Sequence, residues 1–265
     1  MKELAGRVAV VTGAGSGIGR AIARALAREG VRIVAADVDD AGMAETLQGV
    51  DGLAVRTDVT DLAQVGALAD RAFEAFGAVH ILCNNAGVAV WGGLEAASHR
   101  DWQWVLGVNL WGVIHGIEAF VPRMVAQGLE GHIVNTASMA GLVASQGLGV
   151  YNTSKYAVVG LSETLAKDLR QYGIGVSVLC PMGVATRIRD SERVRPVDLK
   201  NAASRELPPI ELLGRTLTAD PVASMVIRAI RRNDLYVITH EESLPAIRRR
   251  FERIERAVLD RDAPS

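Results

Sequence analysis

The strongest constraint on the fold is an apolar stretch that runs into a glycine-rich turn and then into a helical pattern. Residues 8–11 are all apolar, the turn spans residues 12–19, and neither glycine nor proline interrupts the next pattern until Gly30. Glycines allow the backbone N–H groups at a helix start to approach a pyrophosphate closely. The residues expected to hold such a group are Gly13, Ser16, Gly17, Ile18 and Gly19.

Strand and helix patterns then alternate along the chain. The predicted strands are Arg7–Thr12, Val31–Asp37, Leu53–Thr57, Val79–Asn84, His132–Ala137, Ile174–Cys180 and Leu235–Thr239. The predicted helices are Gly17–Glu29, Asp61–Phe76, Asp101–Gln127, Val150–Tyr172 and Pro221–Arg232. Such alternation is typical of βαβ units, and continuously apolar strands indicate a sheet that is covered on both faces. We therefore expect an α/β fold with a doubly wound parallel sheet of about seven strands in three layers, αβα.

The chain reads as one domain, residues 1–265, because no linker, repeat or low-complexity stretch divides it. Residues 187–218 are rich in Arg, Pro and Glu and predict a mobile flap that orders over substrate. The flap arginines Arg187, Arg189, Arg193 and Arg195 are expected at a solvated surface, although they could instead recruit an acid group. Residues 244–260 predict an amphipathic helix whose basic face is also solvated.

Composition excludes several classes of function. A formal net charge of −1 offers no electrostatic footprint for nucleic acid or an anionic membrane. We find no signal-type segment and no apolar run of the ~18 residues that span a bilayer. Cys83 and Cys180 each close an apolar strand pattern, and neither they nor the five scattered histidines have metal-ligand spacing. We therefore expect a cytoplasmic protein without a metal, whose partner is a small molecule.

Acidic and amide side chains follow the predicted strands where a nucleotide would lie. Asp37 ends the second strand, 18 residues beyond Gly19, where a carboxylate can accept hydrogen bonds from both hydroxyls of an adenosine ribose. Neither Ser16 nor Val38 is basic, so the usual partner of a 2′-phosphate is missing and NAD is the expected cofactor. Turn chemistry alone could also explain Asp37 and the polar residues after the third and fourth strands.

Tyr151 and Lys155 are four residues apart in a helical pattern and therefore share one helix face. An adjacent ammonium favours the phenolate, which would lower the tyrosine pKa toward neutral and make it a proton donor and acceptor. Ser138 directly follows the fifth strand, and Asn109 lies inside the preceding long helix. An asparagine there competes with backbone hydrogen bonding and predicts a local distortion of that helix.

These motifs, TGxxxGxG at Thr12–Gly19 and YxxxK at Tyr151–Lys155, resemble those of the short-chain dehydrogenase/reductase family in its single-domain branch, from about Arg7 to Thr186. The resemblance implies a Rossmann-type fold and hydride transfer between NAD(H) and a secondary alcohol or ketone. It implies that Ser138 binds the substrate oxygen, Tyr151 exchanges its proton, Lys155 holds the nicotinamide ribose, and Asn109 supports a water relay. Further cofactor contacts implied by family position are Asp58, Val59, Asn85, Ala86, Gly87, Pro181, Val184 and Thr186.

One departure from the family pattern follows the sixth strand, where Met182 replaces the usual glycine after Pro181. Cofactor binding is still expected there, but the local shape of the pocket is altered. The substrate pocket expected by family position consists of Trp91, Ala140, Leu142, Leu148 and Met182. This mostly apolar lining favours an alicyclic, aryl or steroid-like alcohol. For Trp102, Trp104 and Trp111, packing in the core or at a subunit interface is the expected role.

Two other functions share parts of this pattern. A catalytically silent NAD-binding regulator would keep the fold but not need the complete set of four catalytic-type residues. A nucleotide-sugar epimerase or dehydratase would also carry YxxxK, but with TGxxGxxG spacing and a larger C-terminal domain. The resemblance further implies a homo-oligomer, expected to be a tetramer, that pairs through the two long helices near residues 101–127 and 150–172.

Overall fold

The computed structural model describes residues 1–202 and 214–262, and these form a parallel sheet flanked by helices. The strands are β1 (Val8–Thr12), β2 (Arg32–Asp37), β3 (Gly52–Arg56), β4 (Ile81–Asn84), β5 (Gly131–Thr136), β6 (Ile174–Cys180) and β7 (Tyr236–Ile238). The helices are α1 (Gly17–Arg28), α2 (Asp40–Thr46), α3 (Leu62–Phe76), α4 (His99–Leu106), α5 (Gly112–Ala126), α6 (Gly149–Asp168), α7 (Ala219–Arg232) and α8 (Leu244–Leu259). The expected strands are present, and so are the expected helices other than the one at Asp101–Gln127, with ends that differ by a few residues.

The strand order is β3-β2-β1-β4-β5-β6-β7, and every pair is parallel. This confirms the expected doubly wound, three-layer αβα architecture with seven strands. The order reverses between β1 and β4, so the carboxyl ends of these two strands diverge and open a crevice. Ligands of open α/β sheets bind in such a crevice, which fixes where a functional site can lie.

Apolar clusters on the two faces of the sheet form the core. On one face α1 and α7 pack together, with Ile22 and Val226 fully buried. On the other face α3, α5 and α6 cover the sheet, and Leu68 and Phe120 are fully buried. Because both faces are covered, the strands carry continuous apolar runs rather than alternating ones.

Two local features differ from the expected pattern. The short helix α2 was not expected, although Asp39 signals its start: the Asp39 carboxylate caps the helix by accepting from the Gly42 N–H at 3.0 Å. The single long helix expected at Asp101–Gln127 is instead α4, a π-helical turn at Gly107–Trp111, and α5. The distortion lies at Asn109, as the asparagine predicted.

The helical stretch His99–Ala126 is, by length and composition, apolar enough to cross a membrane, contrary to the expectation that no segment reaches that length. Within the part of the chain that the structure describes, it is the one such helix. Its helices pack against β4, α3 and α6, and this packing accounts for its apolar character.

Candidate active site

The glycine-rich turn lies at the carboxyl end of β1 and leaves the start of α1 open. Gly13 has a φ of +67°, and a Cβ atom there would lie 2.8 Å from the Ala86 Cα. A Cβ atom at Gly19 would lie 2.1 Å from the Gly13 carbonyl oxygen, so the turn can close only around glycine. The Ser16 side chain makes no capping bond and the first turn of α1 holds no acidic residue. Its N–H groups and the helix dipole are therefore available to a phosphate, so the turn fits a nucleotide.

Asp37 lies at the end of β2, directly beside this turn. Its carboxylate accepts hydrogen bonds from the Gly15 N–H at 2.8 Å and from the Asp39 N–H at 3.0 Å. An ionised carboxylate has about four acceptor positions, so two remain for the hydroxyls of a ribose. Arg187 also lines the cavity here and approaches the Asp39 carboxylate at 3.9 Å.

A cavity of about 670 Å³ lies in the crevice between β1 and β4. Every residue expected to contact the cofactor lines it except Gly19, which is buried inside the turn. Those residues are Gly13, Ser16, Gly17, Ile18, Asp37, Asp58, Val59, Asn85, Ala86, Gly87, Tyr151, Lys155, Pro181, Val184 and Thr186. Residues that follow several different strands of the sheet thus line the same cavity.

Thr12 holds the loop after β4 in place, a role that sequence reasoning missed. Its hydroxyl accepts hydrogen bonds from the N–H groups of Asn85 and Ala86, at 2.9 and 3.1 Å. The Asn85 side chain donates to the Thr12 carbonyl oxygen and accepts from the Thr136 hydroxyl. The sequence did offer a signal for this role. Thr12 opens the TGxxxGxG motif and ends β1, the strand that pairs with β4.

Ser138, Tyr151 and Lys155 meet at the floor of the cavity. The Ser138 hydroxyl accepts from the Ala140 N–H at 3.1 Å and lies close enough to the Tyr151 hydroxyl to affect its pKa. Lys155 is almost completely buried, and its ammonium donates to the Thr136 carbonyl oxygen at 2.9 Å and lies 5.6 Å from the centre of the Tyr151 ring. A hydroxyl pair and a cation therefore face the space where a carbonyl or alcohol could be held.

The ionisation of this group differs from the expectation. Burial raises the pKa of Tyr151, and the nearby Ser138 hydroxyl only partly opposes that effect. Burial also lowers the pKa of Lys155 to about 8. The expected lowering of the tyrosine pKa by Lys155 is therefore not seen in the protein alone, because both groups are removed from water and the ammonium is turned toward the Thr136 carbonyl oxygen.

Asn109 lies behind this group, in the π-helical turn, and is fully buried outside the cavity. Its side-chain oxygen accepts from the Val88 N–H at 2.8 Å, and its amide donates to the Val88 carbonyl oxygen at 2.9 Å and to Ser154 at 3.0 Å. The side chain thus ties the loop after β4 to α6. The irregular turn frees Asn109 to make these bonds.

The segment after β6 closes one side of the cavity. Met182 lines the cavity, and its side chain packs against Gly214, where a Cβ atom would lie 2.2 Å from the Met182 Cε. Gly214 has a φ of +95°. The side chain of the methionine that replaces the family glycine is therefore accommodated by the absence of a side chain at Gly214.

Of the five residues expected in the substrate pocket, Met182 is the one that lines the cavity. Ala140 and Leu148 are buried, Leu142 packs against the cluster around Val158, and Trp91 lies beneath the Arg189 guanidinium at 6.0 Å. The lining is formed instead by residues of α4 and of the segment that follows β6. These include Gln103, Trp104, Val194, Pro196 and Leu199. No local motif marks these residues, because they meet only in the folded chain.

Arg195 corrects the expectation that the flap arginines are all solvated. Its side chain is 1% exposed, and it donates to the Asp101 carboxylate at 2.7 Å and to the Leu199 carbonyl oxygen at 2.8 Å. The guanidinium also stacks 4.8 Å from the centre of the Trp104 ring. Arg187, Arg189 and Arg193 are exposed as expected.

The first part of the expected flap is consequently fixed to α4. Residues Arg187–Val194 and Val197–Leu199 form 3₁₀ turns, with Arg195 between them. Burial would raise the pKa of Asp101, but hydrogen bonds from Ser98, Arg195 and Asn201 outweigh it and hold the pKa below its usual value. Residues 203–213 of the flap lie outside the described residues.

The remaining candidate groups are structural. Cys83 and Cys180 are buried, and burial raises the pKa of each thiol to about 12. Across residues 1–202 and 214–262, no group of histidine, cysteine and acidic side chains could hold a metal ion. His132 is buried against the Ser177 hydroxyl, and burial lowers its pKa to about 3.

Comparison with known proteins identifies relatives over the whole chain. The family model for short chain dehydrogenases matches residues 7–196. A short chain dehydrogenase/reductase from Burkholderia phymatum, solved in complex with NAD, is 47% identical, with a TM-score of 0.90 over 96% of each chain. The C alpha-dehydrogenase of a Sphingobium species is 33% identical over all of this chain and 89% of that protein. The 1-deoxy-11-beta-hydroxypentalenate dehydrogenase of Streptomyces exfoliatus is 35% identical over 97% of this chain and 91% of that protein.

The family match agrees with the structure. The structure has the parallel sheet with its glycine-rich turn, and it places Ser138, Tyr151 and Lys155 in one cavity. This chain belongs to the short-chain dehydrogenase/reductase family of oxidoreductases.

Proposed function

We propose that this chain is an NAD-dependent dehydrogenase or ketoreductase that acts on a secondary alcohol or ketone with a hydrophobic body. The observation that carries the proposal is that Ser138, Tyr151 and Lys155 line the same cavity as the glycine-rich turn and Asp37. A regulator that only bound the nucleotide would not need a proton-exchanging group at the end of the nucleotide crevice. We use the site rather than the fold as the argument, since one fold supports many functions.

The residues around the cavity would hold NAD in a defined way. The N–H groups of the glycine-rich turn would bind the pyrophosphate, the Asp37 carboxylate the adenosine ribose, and Lys155 the nicotinamide ribose. Val184 and Thr186 would meet the carboxamide. When bound, the nicotinamide supplies or accepts the hydride.

The chain's own residues would handle the proton. Ser138 holds the substrate oxygen beside the Tyr151 hydroxyl, and Tyr151 gives or takes the proton on that oxygen. The buried Lys155 ammonium stabilises the negative charge that develops on the tyrosine oxygen. Asn109 holds the loop at Val88 against α6 through its hydrogen bonds to Val88 and Ser154. We also propose that Asn109 supports a water relay.

The apolar side chains in the lining of the cavity favour a bulky apolar substrate. Trp104, Val194 and Leu199 contribute apolar side chains to the lining of the cavity, and Met182, which follows β6, lines it as well. We propose alicyclic, aryl or steroid-like alcohols as the substrate class. We further propose that the protein is cytoplasmic and works as a homotetramer.

Absorbance of the reduced cofactor tests the proposal directly. The purified protein should reduce NAD with at least one member of a panel of alicyclic, aryl and steroid alcohols, or oxidise NADH with the matching ketones. The matched control is the Tyr151→Phe variant, which should bind NAD but turn over far more slowly than the natural chain. Binding of NAD without turnover by the natural chain across the panel would favour the regulator instead.

A further inference from the structure

The C-terminal helix α8 has an apolar face that no part of residues 1–202 and 214–262 covers. None of its 16 residues, Leu244–Leu259, is buried. The side chains of Phe251, Ile254 and Val258 are 56%, 48% and 61% exposed. Large apolar side chains arranged on one face of a helix normally pack against a neighbour.

The spacing of this face matches a helix pair. Leu244, Ile247, Phe251, Ile254 and Val258 follow one another at intervals of three, four, three and four residues. This is the seam of a two-stranded coiled coil, with apolar side chains at both seam positions of each heptad. The length of α8 provides two full heptads of seam.

Among the residues that the structure describes, the contacts of the body with α8 lie in the first half of the helix. Ser243, just before the helix, is buried, and the Arg250 guanidinium lies 5.3 Å from the centre of the Tyr156 ring on α6. From Phe251 onward every side chain of α8 is exposed. The body therefore fixes the direction of the helix and leaves its second half free for a partner.

We propose that α8 pairs antiparallel with α8 of a second copy of this chain. Arg248, Arg249 and Arg250 make the first half of the helix strongly basic, whereas acids and arginines balance in residues 252–261. A parallel pair would place the two basic halves side by side, and an antiparallel pair separates them. The antiparallel pair also opposes the two helix dipoles.

The flanks of the seam support the same orientation. Arg248 and Glu255 are seven residues apart and occupy the same flanking position of successive heptads. In an antiparallel pair this position faces its own equivalent, so Arg248 lies near the partner's Glu255, and the two-fold axis repeats the contact. In the seam itself, Ile247 lies opposite the partner's Val258.

A lipid surface is the other occupant that an amphipathic helix could take. The polar face of α8 carries Glu252 and Glu255 among its five arginines. Acidic side chains on that face oppose binding to an anionic membrane, whose peripheral helices carry mainly lysine and arginine there. The observations therefore favour a second copy.

Disulfide cross-linking of the full-length protein tests the orientation. The natural cysteines are buried, so a cysteine placed on α8 is the accessible thiol. Under mild oxidation at low micromolar concentration, the Ile247→Cys/Val258→Cys variant should give a covalent dimer, twice 28.2 kDa, on a non-reducing gel. Val258→Cys alone should remain monomeric on that gel, as should the outward-facing control Arg253→Cys. A dimer with Val258→Cys alone, or none with the double variant, would overturn the proposal.

Charge reversal provides a second, independent test by sedimentation equilibrium. Arg248→Glu and Glu255→Arg should each weaken the α8-dependent association by about tenfold or more, because each creates two like-charge contacts. The double variant should restore the association, and the outward-facing Arg249→Glu should leave it unchanged. Circular dichroism checks that each variant is folded. Single variants without effect, a double variant without recovery, or sedimentation with phosphatidylserine vesicles that Ile254→Glu abolishes would each refute the helix pair.

Discussion

The guanidinium of Arg195 lies 2.7 Å from the carboxylate of Asp101, and both side chains are removed from solvent, at 1% and 0% exposure. The two residues are 94 positions apart in the chain. Their contact joins the segment after β6 to the start of α4 and thereby builds the apolar wall of the cavity around Trp104 and Leu199.

Replacement of Arg195 by leucine should destabilise the protein strongly. The Asp101 carboxylate would lose the guanidinium that it contacts at 2.7 Å, and breaking a buried ion pair typically costs about 3–5 kcal/mol. Chemical denaturation measures the loss, and Arg193→Leu is the matched control because Arg193 is exposed in the same segment. Adding Asp101→Asn should recover part of the stability, and KM for the alcohol should rise more than the Kd for NAD. An unchanged midpoint for Arg195→Leu would contradict the buried pair.

Tyr151→Phe should reduce kcat by about 10²–10⁴, the range for loss of a general acid or base. The change removes a single hydroxyl, so NAD should still bind with similar affinity in a calorimetric titration. Tyr172→Phe is the control, since Tyr172 is 47% exposed outside the cavity. A near-normal kcat for Tyr151→Phe would assign the proton transfer to another group.

The buried Lys155 should make stability depend on pH in the alkaline range. Its pKa is lowered to about 8 in the folded chain, whereas an unfolded chain has a lysine pKa of about 10.4. Between these values the unfolded state binds more protons, so the free energy of unfolding from this group rises with pH from about 8 to about 10. Denaturation at several pH values should show this rise against a Lys155→Met variant, which lacks it. The exposed Lys167→Met should keep the behaviour of the natural protein, and identical profiles for all three would contradict the lowered pKa.

We expect the protein to prefer NAD over NADP by at least about a hundredfold in kcat/KM. A 2′-phosphate would face the Asp37 carboxylate, and two unit charges ~4 Å apart cost about 4 kcal/mol at an effective dielectric near 20. Loss of the ribose hydrogen bonds adds to this penalty. Asp37→Ala should weaken NAD and improve NADP, whereas Asp40→Ala, whose carboxylate pairs with Arg56 at the surface, should change neither. Equal use of both cofactors by the natural protein would mean that Asp37 does not face the ribose.

The homotetramer should depend on the long helices of the chain. Trp111, in the turn between α4 and α5, is 52% exposed, which is unusual for so large an apolar side chain. If it lies in a subunit interface, Trp111→Glu should lower the mass measured by light scattering. Leu129→Glu, at an exposed loop position, is the control. A stable 28.2 kDa species of the natural protein at micromolar concentration would refute the assembly.

Local sequence signals were sufficient for the fold and for much of the cofactor crevice. Continuous apolar runs and helical periodicity depend on which faces of a segment are buried. Each segment therefore carries this signal in its own sequence. The same holds for Gly19, where a Cβ atom would meet the Gly13 carbonyl oxygen within the same turn, and for the pair Tyr151 and Lys155, which a helix must place on one face.

Only the tertiary structure decided the wall of the substrate cavity, the burial of Arg195 and the direction of the Tyr151 pKa. Each depends on atoms from distant parts of the chain: Arg195 meets Asp101 across 94 positions, and Trp104 joins Val194 and Leu199 only when α4 and the segment after β6 come together. The pKa of Tyr151 likewise follows from how much water the assembled cavity excludes and from where the Lys155 ammonium points. Burial and hydrogen-bond partners arise from packing between segments, so no pattern within one segment could have determined them.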